Sequence, residues 1–238
     1  MQISIIVPVF NEASLIRPFL SKLRERTQGA EIIVVDGAST DGTVGLAQGL
    51  CDQTIPSGHR SRAKQMNLGA KAASGDILWF VHADAEVPFE SLHEIGRIMS
   101  DPKVCGGFFR IRLPAAPVVY RLTDSFAHYA GLLLRMRCGD HGIFCRRSAF
   151  IDAGEFPDVP LMEDVEFFRR LRRCGRIVHS AKRIAASPRR YETVGATRLT
   201  FAYGSIATLY FFGVSLPALA RIYRRTCCGP REHAILLE

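Results

Sequence analysis

The chain alternates short apolar runs with longer segments of mixed polarity, and this alternation limits the folds open to it. The apolar runs at Ile3–Val9, Glu31–Asp36 and Ile77–Val81 are too short for typical helices and suit strands that are buried on both faces. Each run is followed by a segment with helical features. Repeated strand–helix units build a parallel, doubly wound sheet with right-handed crossovers. We therefore predict an α/β fold with a mostly parallel sheet flanked by helices.

The same patterns predict the remaining elements. Further strands are expected at 52–55, 105–113 and 143–146. Helices are expected at 13–26, 44–50, 61–74, 89–100, 118–136 and 148–153, and another begins among residues 160–166 and ends at Cys174 before Gly175.

Composition restricts the classes of partner. The 238 residues fit one large domain, or one domain with an appendage, and the formal charge of +8 favours anionic partners. The seven cysteines show neither a CxxC pair nor zinc-ligand spacing, and the N-terminus has no basic leader. Together these features indicate reduced thiols in the cytoplasm. We expect a cytoplasmic protein, and contact with the inner face of the membrane is left open.

Several functional classes lack their sequence signatures. No GxGxxG follows the first strand and no GxxxxGK[ST] occurs, which disfavours dinucleotide oxidoreductases and P-loop proteins. The cations are not interleaved with aromatic residues as in known nucleic-acid modules, so nucleic acid is not an expected partner.

Metal-capable side chains follow the run at Ile77–Val81. His82, Asp84 and Glu86 are separated by single alanines, and in an extended chain such residues point the same way. Ligands of open α/β sheets bind at the carboxyl ends of strands, and carboxylates suit Mg²⁺ or Mn²⁺ bridging to phosphates. The alternative is a polar strand end that faces water.

Two further segments suit a nucleotide. Asp36 ends a buried strand before a loop of small residues, where it can accept a hydrogen bond from a base or a sugar hydroxyl. Arg60, Arg62 and Lys64 crowd the first turn of the helix that Ser61 begins, although the helix dipole disfavours cations there. A bound diphosphate would explain them, whereas the alternative is a solvated basic face.

A candidate general base lies at a later helix start. Glu163 and Asp164 fall in the first turn, where the dipole favours negative charge. An ionised Asp164 could accept a proton from a substrate. The alternative is that both acids only stabilise the helix.

The C-terminal region contains 22 residues without a charge, at Leu199–Ala220. The length would span a bilayer, but the cluster at Gly213–Pro217 indicates a break between two helices. We predict a main domain at 1–195 and a helical tail at 196–238. The tail is expected either to pack on that domain or to contact a membrane peripherally through 199–225.

The motifs IIVPVFNE, IIVVDGASTDGT, WFVHADAE and PLMEDVEFFRRLRRCG, in this order, resemble glycosyltransferase family 2, the nucleotide-sugar transferases with the GT-A fold. The resemblance covers roughly residues 1–190. Within the family, SRAKQMNLGA, HADAE, GDHGIF, PLMED and RRYETVGA are most similar to the subfamily associated with arsenosugar biosynthesis.

The resemblance implies roles for matching positions. His82 replaces the usual first aspartate of the family's metal motif, and His141 stands where the subfamily suggests glutamine, so His141 is assigned no role. The implied nucleotide-binding residues are Pro8, Glu12 and Asp36 for the base and ribose, and Arg62, Lys64 and Asp84 near the diphosphate and its metal. The implied catalytic pair is Glu163 and Asp164, with Asp164 as the base.

The resulting prediction is an inverting, metal-dependent glycosyltransferase that moves a sugar from a nucleotide-diphosphate sugar to an acceptor hydroxyl. The divalent cation is Mg²⁺ or Mn²⁺, and the acceptor is unknown. One alternative is a sugar nucleotidyltransferase, although such an enzyme is expected to have a glycine-rich loop after the first strand. The other is a basic nucleotide- or membrane-binding protein with a degenerate sugar site.

Overall fold

The structure is a computed structural model that describes residues 1–112, 141–185, 187 and 189–227. The helix predicted at 118–136 lies outside these residues. The described strands are β1 (Ile3–Val9), β2 (Glu31–Asp36), β3 (Gln53–Pro56), β4 (Ile77–Phe80), β5 (Val104–Arg112), β6 (Phe144–Arg146) and β7 (Arg176–Ala185). The described helices are α1 (Ala13–Arg26), α2 (Thr43–Ala47), α3 (Arg62–Ala72), α4 (Ser91–Met99), α5 (Arg147–Asp152), α6 (Glu163–Cys174), α7 (Arg189–Val194), α8 (Ala196–Phe211) and α9 (Leu216–Cys227).

The strands form one sheet in the order β3-β2-β1-β4-β6-β5-β7. β1 to β4 are parallel to one another, β5 is parallel to β7, and β6 runs antiparallel to both β4 and β5. The predicted α/β fold with a mostly parallel sheet and C-terminal helices is therefore confirmed.

Both faces of the sheet are covered, which explains why its central strands are apolar throughout. Every residue of β1 is buried. Successive residues enter opposite cores: Ile5 packs in the layer that contains Ile16 and Leu20 of α1, and Ile6 packs in the layer that contains Met66 of α3. The alternation follows from the period of two in a strand.

One close approach fixes the position of α3 against the sheet. A Cβ atom on Gly69 would come within 2.5 Å of the Cγ2 atom of Ile6 and within 2.9 Å of that of Val35. Only glycine lets the helix backbone lie this near β1 and β2. Since α3 begins at the edge where these strands end, this contact also positions the helix for the candidate site.

Two strands differ from expectation. β7 was not predicted, because its sequence RIVHSAKRIA mixes charged and apolar residues and has no continuous apolar run. Among the described strands it lies at the edge of the sheet and pairs with β5, and its last residue, Ala185, also bridges to Glu86. The antiparallel direction of β6 was not predicted either, since the strand itself was identified from apolar residues, which do not encode direction.

The chain divides into two compact units. Their described residues are 1–112, 141–158 and 163–185 in the first unit, and 159–162, 187 and 189–227 in the second. The predicted domain boundary at residue 195 stays a prediction, because compactness does not test independent folding.

The second unit contains α8 and α9, separated at the break that the sequence predicts. α8 ends at Phe211 and α9 begins at Leu216. Its own apolar core includes Leu199, Ile206 and Leu219. Among the described helices, none has both the length and the apolarity needed to cross a bilayer.

Candidate functional site

The carboxyl ends of β2, β1 and β4 lie side by side and form the edge on which the candidate residues stand. Val9 pairs with Asp36, and Ile6 pairs with Phe80. The chain passes from β1 to β2 and β3 on one side of β1 and then returns to β4 on the other. Such a reversal of strand order opens a crevice at the carboxyl ends, which is where open α/β sheets bind ligands.

The loops after β1 and β2 are joined to each other by Asp41. One carboxylate oxygen accepts a hydrogen bond from the backbone N–H of Ala13 (2.9 Å) at the start of α1, and the other accepts from the N–H of Thr43 (3.0 Å) at the start of α2. Burial by itself would raise the pKa of Asp41, but the hydrogen bonds from Thr43 and Ala13 outweigh it and lower the pKa below its usual value. Asp41 thus satisfies the first backbone N–H group of both α1 and α2.

Glu12, a predicted nucleotide contact, is the N-cap residue of α1 and is half-buried. Its side chain does not cap the helix, and its backbone N–H donates to the hydroxyl of Thr43 (2.8 Å). Pro8 is buried in β1, one residue before the strand ends.

Asp36 ends β2 as a buried carboxylate that is only 5% exposed. Its Oδ2 atom accepts from the backbone N–H of Ser39 (3.0 Å). Within the described part of the chain, its Oδ1 atom has no hydrogen-bond partner. A buried carboxylate oxygen without a donor is costly, so this atom suits a ligand N–H or O–H.

Gln65 holds β1 and β2 together directly beneath this edge, a role that was not predicted from the sequence. Its amide nitrogen donates to the carbonyl oxygens of Val9 and Val35, each at 2.8 Å, and the side chain is 2% exposed. A Cβ on Gly37 would come within 3.1 Å of this amide, so the chain after Asp36 must pass it closely. A glutamine in a helix carries no sequence signal of such a role.

The basic residues at the start of α3 have protein partners. Ser61 caps the helix by accepting from the backbone N–H of Lys64 (3.4 Å). The ammonium of Lys64 lies 3.1 Å from Asp158, and the guanidinium of Arg62 lies 3.9 Å from Glu163. These acids offset the unfavourable interaction of the two cations with the helix dipole, a contribution that neither the bound diphosphate nor the solvated basic face had included. Both cations are about half exposed, and exposed pairs of this kind contribute about 0–1 kcal/mol.

Arg62 and Glu163 belong to different predicted groups, and the structure brings them together. Glu163 and Asp164 begin α6, and the side chain of Glu163 is 12% exposed. The Oδ1 atom of Asp164 accepts from the backbone N–H of Val165 (2.7 Å). The candidate base is therefore at a helix N-terminus that favours its negative charge.

The predicted row of metal ligands is not formed as expected. β4 ends at Phe80, and the N–H of Ala85 donates to the carbonyl of His82 (3.1 Å), so residues 82–85 turn instead of continuing as a strand. Glu86 accepts from the guanidinium of Arg26 (2.8 Å), and this hydrogen bond holds the pKa of Glu86 below its usual value. In the described ranges, no three His, Cys, Asp or Glu side chains are grouped to hold a metal ion.

A smaller ligand set remains at this turn. Asp84 is exposed and His82 is half-buried. Mg²⁺ and Mn²⁺ commonly bind through one or two carboxylates and complete their coordination with water and substrate phosphates. The exposed carboxylate of Asp84 fits such a cation, provided that the substrate supplies further oxygens.

His141 has a structural contact that the sequence did not indicate. Its Nδ1 atom lies 3.1 Å from the carbonyl oxygen of Phe109, and its ring packs edge-on against Phe108. These contacts tie the segment that leads into β6 to β5.

Comparison with known proteins gives matches along most of the chain. Residues 4–151 match the sequence model of the family described as glycosyl transferase family 2. A dolichol-phosphate mannosyltransferase from Pyrococcus furiosus is 33% identical over 103 residues, which cover 40% of this chain and 29% of that protein. An uncharacterised glycosyltransferase from Haemophilus influenzae is 29% identical over 99 residues, covering 39% and 40%. The matched segments thus span less than half of these curated relatives.

Solved structures match over more of the chain. A mannosyltransferase from Pyrobaculum calidifontis, in complex with GDP-mannose and Mn²⁺, has a TM-score of 0.69 at 22% identity, covering 93% of this chain and 69% of that one. Glucosyl-3-phosphoglycerate synthase from Mycobacterium tuberculosis, in complex with Mn²⁺, UDP and glucosyl-3-phosphoglycerate, has a TM-score of 0.60 at 17% identity, covering 90% and 81%. At these identities the likeness shows a shared fold.

Proposed function

Since the chain belongs to glycosyl transferase family 2, we propose that it transfers a sugar from a nucleoside diphosphate sugar to an acceptor hydroxyl, with inversion at the anomeric carbon. The observation that carries the proposal is Asp36, a buried carboxylate at the carboxyl edge of the sheet whose Oδ1 atom has no partner among the described residues. A base N–H or ribose hydroxyl would supply the missing donor. Glu12 and Pro8, on the neighbouring strand end, complete the proposed nucleoside pocket.

The proposed diphosphate position is near the start of α3. Arg62 and Lys64 are half exposed, and their weak ion pairs with Glu163 and Asp158 can be exchanged for phosphate oxygens at little cost. Charge-assisted contacts to phosphate are stronger than neutral hydrogen bonds. These two side chains would therefore favour a diphosphate over a nucleoside.

A divalent cation fits the proposal at Asp84, with His82 beside it. When bound there with the diphosphate, Mg²⁺ or Mn²⁺ would supply positive charge near the leaving group. A metal role for Glu86 is not carried forward, because its carboxylate is engaged by Arg26.

The proposed chemistry is a single displacement. The carboxylate of Asp164 accepts the proton of the acceptor hydroxyl, whose oxygen forms a bond to the anomeric carbon. The bond from that carbon to the diphosphate oxygen breaks, and the electron pair leaves with the diphosphate, near Arg62 and Lys64. Glu163 precedes Asp164 in the chain and lies 3.9 Å from Arg62, so its proposed role is to hold the position of the base relative to the cation that contacts the diphosphate.

The donor and the acceptor are proposed only by class. The neighbours are described with GDP-mannose or UDP, so guanine and uracil nucleotides are the first donors to test. The motif resemblance supports a further proposal that the chain belongs to the arsenosugar-type subfamily.

The test begins with the donor. A thermal-shift series with GDP, UDP and their sugars, with and without Mn²⁺, identifies it, since a ligand at 100 times its Kd stabilises by about 2.7 kcal/mol. Donor Kd and single-turnover transfer to a hydroxyl acceptor are then measured for wild type, Asp36→Asn and Asp164→Asn. Glu166→Gln is the matched control, since it removes another first-turn acid of α6, whose carboxylate lies 3.2 Å from the guanidinium of Arg169.

The two site variants should fail in different ways. Asp36→Asn loses an anionic acceptor, so donor Kd should rise roughly 10- to 100-fold. Asp164→Asn should leave Kd within a few-fold and lower the single-turnover rate about 10²- to 10⁴-fold. Glu166→Gln should change neither quantity. Unchanged single-turnover transfer by Asp164→Asn would remove the base assignment, and an unchanged Kd for Asp36→Asn would remove the nucleoside pocket.

A further inference from the structure

The helical hairpin of the second unit, residues 196–227 (α8, the turn at 212–215 and α9), is an ordered structure with its own contacts. Leu199, Ile206 and Leu219 are buried. The rings of Tyr203 and Tyr223 are stacked with centroids 6.4 Å apart. The guanidinium of Arg198 near the start of α8 donates to the carbonyl of Arg225 near the end of α9 (3.3 Å), so the two helices run antiparallel.

The turn of this hairpin presents large apolar side chains to solvent. Phe211 is 63% exposed and Phe212 is 76% exposed, and their ring centroids are 5.8 Å apart. Phe201 on α8 is 73% exposed. Single exposed apolar residues are ordinary on a protein surface, but adjacent aromatic rings at the tip of a hairpin indicate a contact surface.

The hairpin is also purely cationic. Between residues 196 and 227 the sequence has four arginines and no aspartate, glutamate or lysine. Arg221 lies five residues after the start of α9, and Arg225 lies nine after it. At 1.5 Å per residue these positions are about 8 and 14 Å from the aromatic end. Interfacial apolar side chains enter a membrane to about 5–10 Å, so the guanidinium groups would meet the phosphate level.

We propose that the hairpin docks on an anionic phospholipid surface, with Phe211 and Phe212 entering the interface and the arginines contacting lipid phosphates. The helices are too short to span: α8 has 16 residues, or about 24 Å, against a hydrocarbon core of about 30 Å. A second copy of the chain is a poorer occupant, because a two-fold contact would place the same cationic faces against each other. The proposal is independent of the glycosyl transfer reaction.

Sedimentation with vesicles tests the proposal on the full chain. Vesicles of phosphatidylcholine with one third phosphatidylglycerol are compared with vesicles of phosphatidylcholine alone, at low and high salt. The wild type should bind the anionic vesicles, and binding should fall with salt and with loss of the anionic lipid.

Two double variants separate the aromatic and electrostatic parts. Phe211→Ser with Phe212→Ser should weaken binding at least about tenfold. Arg221→Gln with Arg225→Gln should weaken it about 30-fold, from about 1 kcal/mol per arginine at an anionic surface. Ile151→Ser is the matched control, since Ile151 is 61% exposed in the other unit, and it should bind like wild type. Melting temperatures check that each variant is folded.

Three results would overturn the proposal. The first is wild-type protein that stays in the supernatant with anionic vesicles. The second is equal binding to neutral and anionic vesicles, which needs no variant and so does not depend on any variant folding. The third is a dimer, measured by light scattering, that is lost in the phenylalanine variant while vesicle binding is absent, because the tip would then bind a second copy.

Discussion

Glu94 links α4 to β7 and should make the stability of the protein depend on acid pH. It is 5% exposed, and its carboxylate accepts from the hydroxyl of Ser180 (2.8 Å), the N–H of Ala181 (3.3 Å) and two nitrogens of Arg97 (2.9 and 3.0 Å). The hydrogen bond from Arg97, with those from Ser180 and Ala181, outweighs the opposing effect of burial and lowers the pKa of Glu94 from 4.5 to about 2.

The sign of the effect follows from proton binding. Because the pKa of Glu94 is lower in the folded state, the unfolded state binds more protons in acid, and the contribution is complete above pH 4.5 and lost as the pH falls towards 2. The difference of 4.5 minus 2, or 2.5 pKa units, corresponds to about 3 kcal/mol at neutral pH. At pH 3 roughly half of it remains.

The assay compares wild type with Glu94→Gln by urea unfolding, followed by circular dichroism, between pH 7 and pH 3. The difference in the free energy of unfolding should be about 3 kcal/mol at pH 7 and about half of that at pH 3. Subtracting the variant cancels the contributions of the other carboxylates. Glu25→Gln, an exposed position on α1, is the control and should differ from wild type by less than about 0.5 kcal/mol at every pH.

The reasoning would be refuted by a Glu94→Gln difference that stays constant from pH 7 to pH 3. A constant difference would mean that the variant only disturbs packing between α4 and β7. A difference that grows in acid would mean that the carboxyl is stabilised in its protonated form, contrary to the hydrogen bonds around it.

Two further changes test the packing that positions the site. Gly69→Ala should lower the free energy of unfolding by about 1–2 kcal/mol, because its Cβ would come within 2.5 Å of Ile6; Gly45→Ala, with no atom within 4 Å, should be neutral or stabilising, and equal effects would refute the close approach. Arg147→Met should cost about 3 kcal/mol, because the guanidinium donates to the backbone carbonyls of Ala70 in the last turn of α3 and of Ala73 and Gly75 just after it. Exposed Arg173→Met is its control, and matching urea midpoints for the two would contradict the prediction.

Much of the sheet was predictable because local apolar runs report burial. The ranges of β1, α1 and β2 agree with the sequence prediction residue for residue. The same runs place Asp36 at a strand end, since a buried strand stops where the first polar side chain must leave the core. These are properties of a few consecutive residues, which pattern reasoning reads directly.

The candidate site was less predictable where it depends on the path of the chain. His82, Asp84 and Glu86 alternate with alanines, which predicted three side chains on one side of an extended chain. The hydrogen bond from Ala85 to His82 turns the backbone there instead, and the side chain of Arg26 binds Glu86. Gln65 was missed because its two acceptors belong to strands that precede it by at least 30 residues. Hydrogen bonds between residues this far apart cannot be predicted from the pattern of a few consecutive residues.

For β1 and β2 the sequence by itself determined which residues are buried, where the strands end, and which charged group stands at the end of β2, because burial and periodicity are local. Only the tertiary structure decided that β6 is antiparallel, that β7 forms the edge, and that Arg62 lies beside Glu163. Each of these is a pairing between distant segments. Its energy depends on which neighbours the folded chain brings together, and no single segment contains that information.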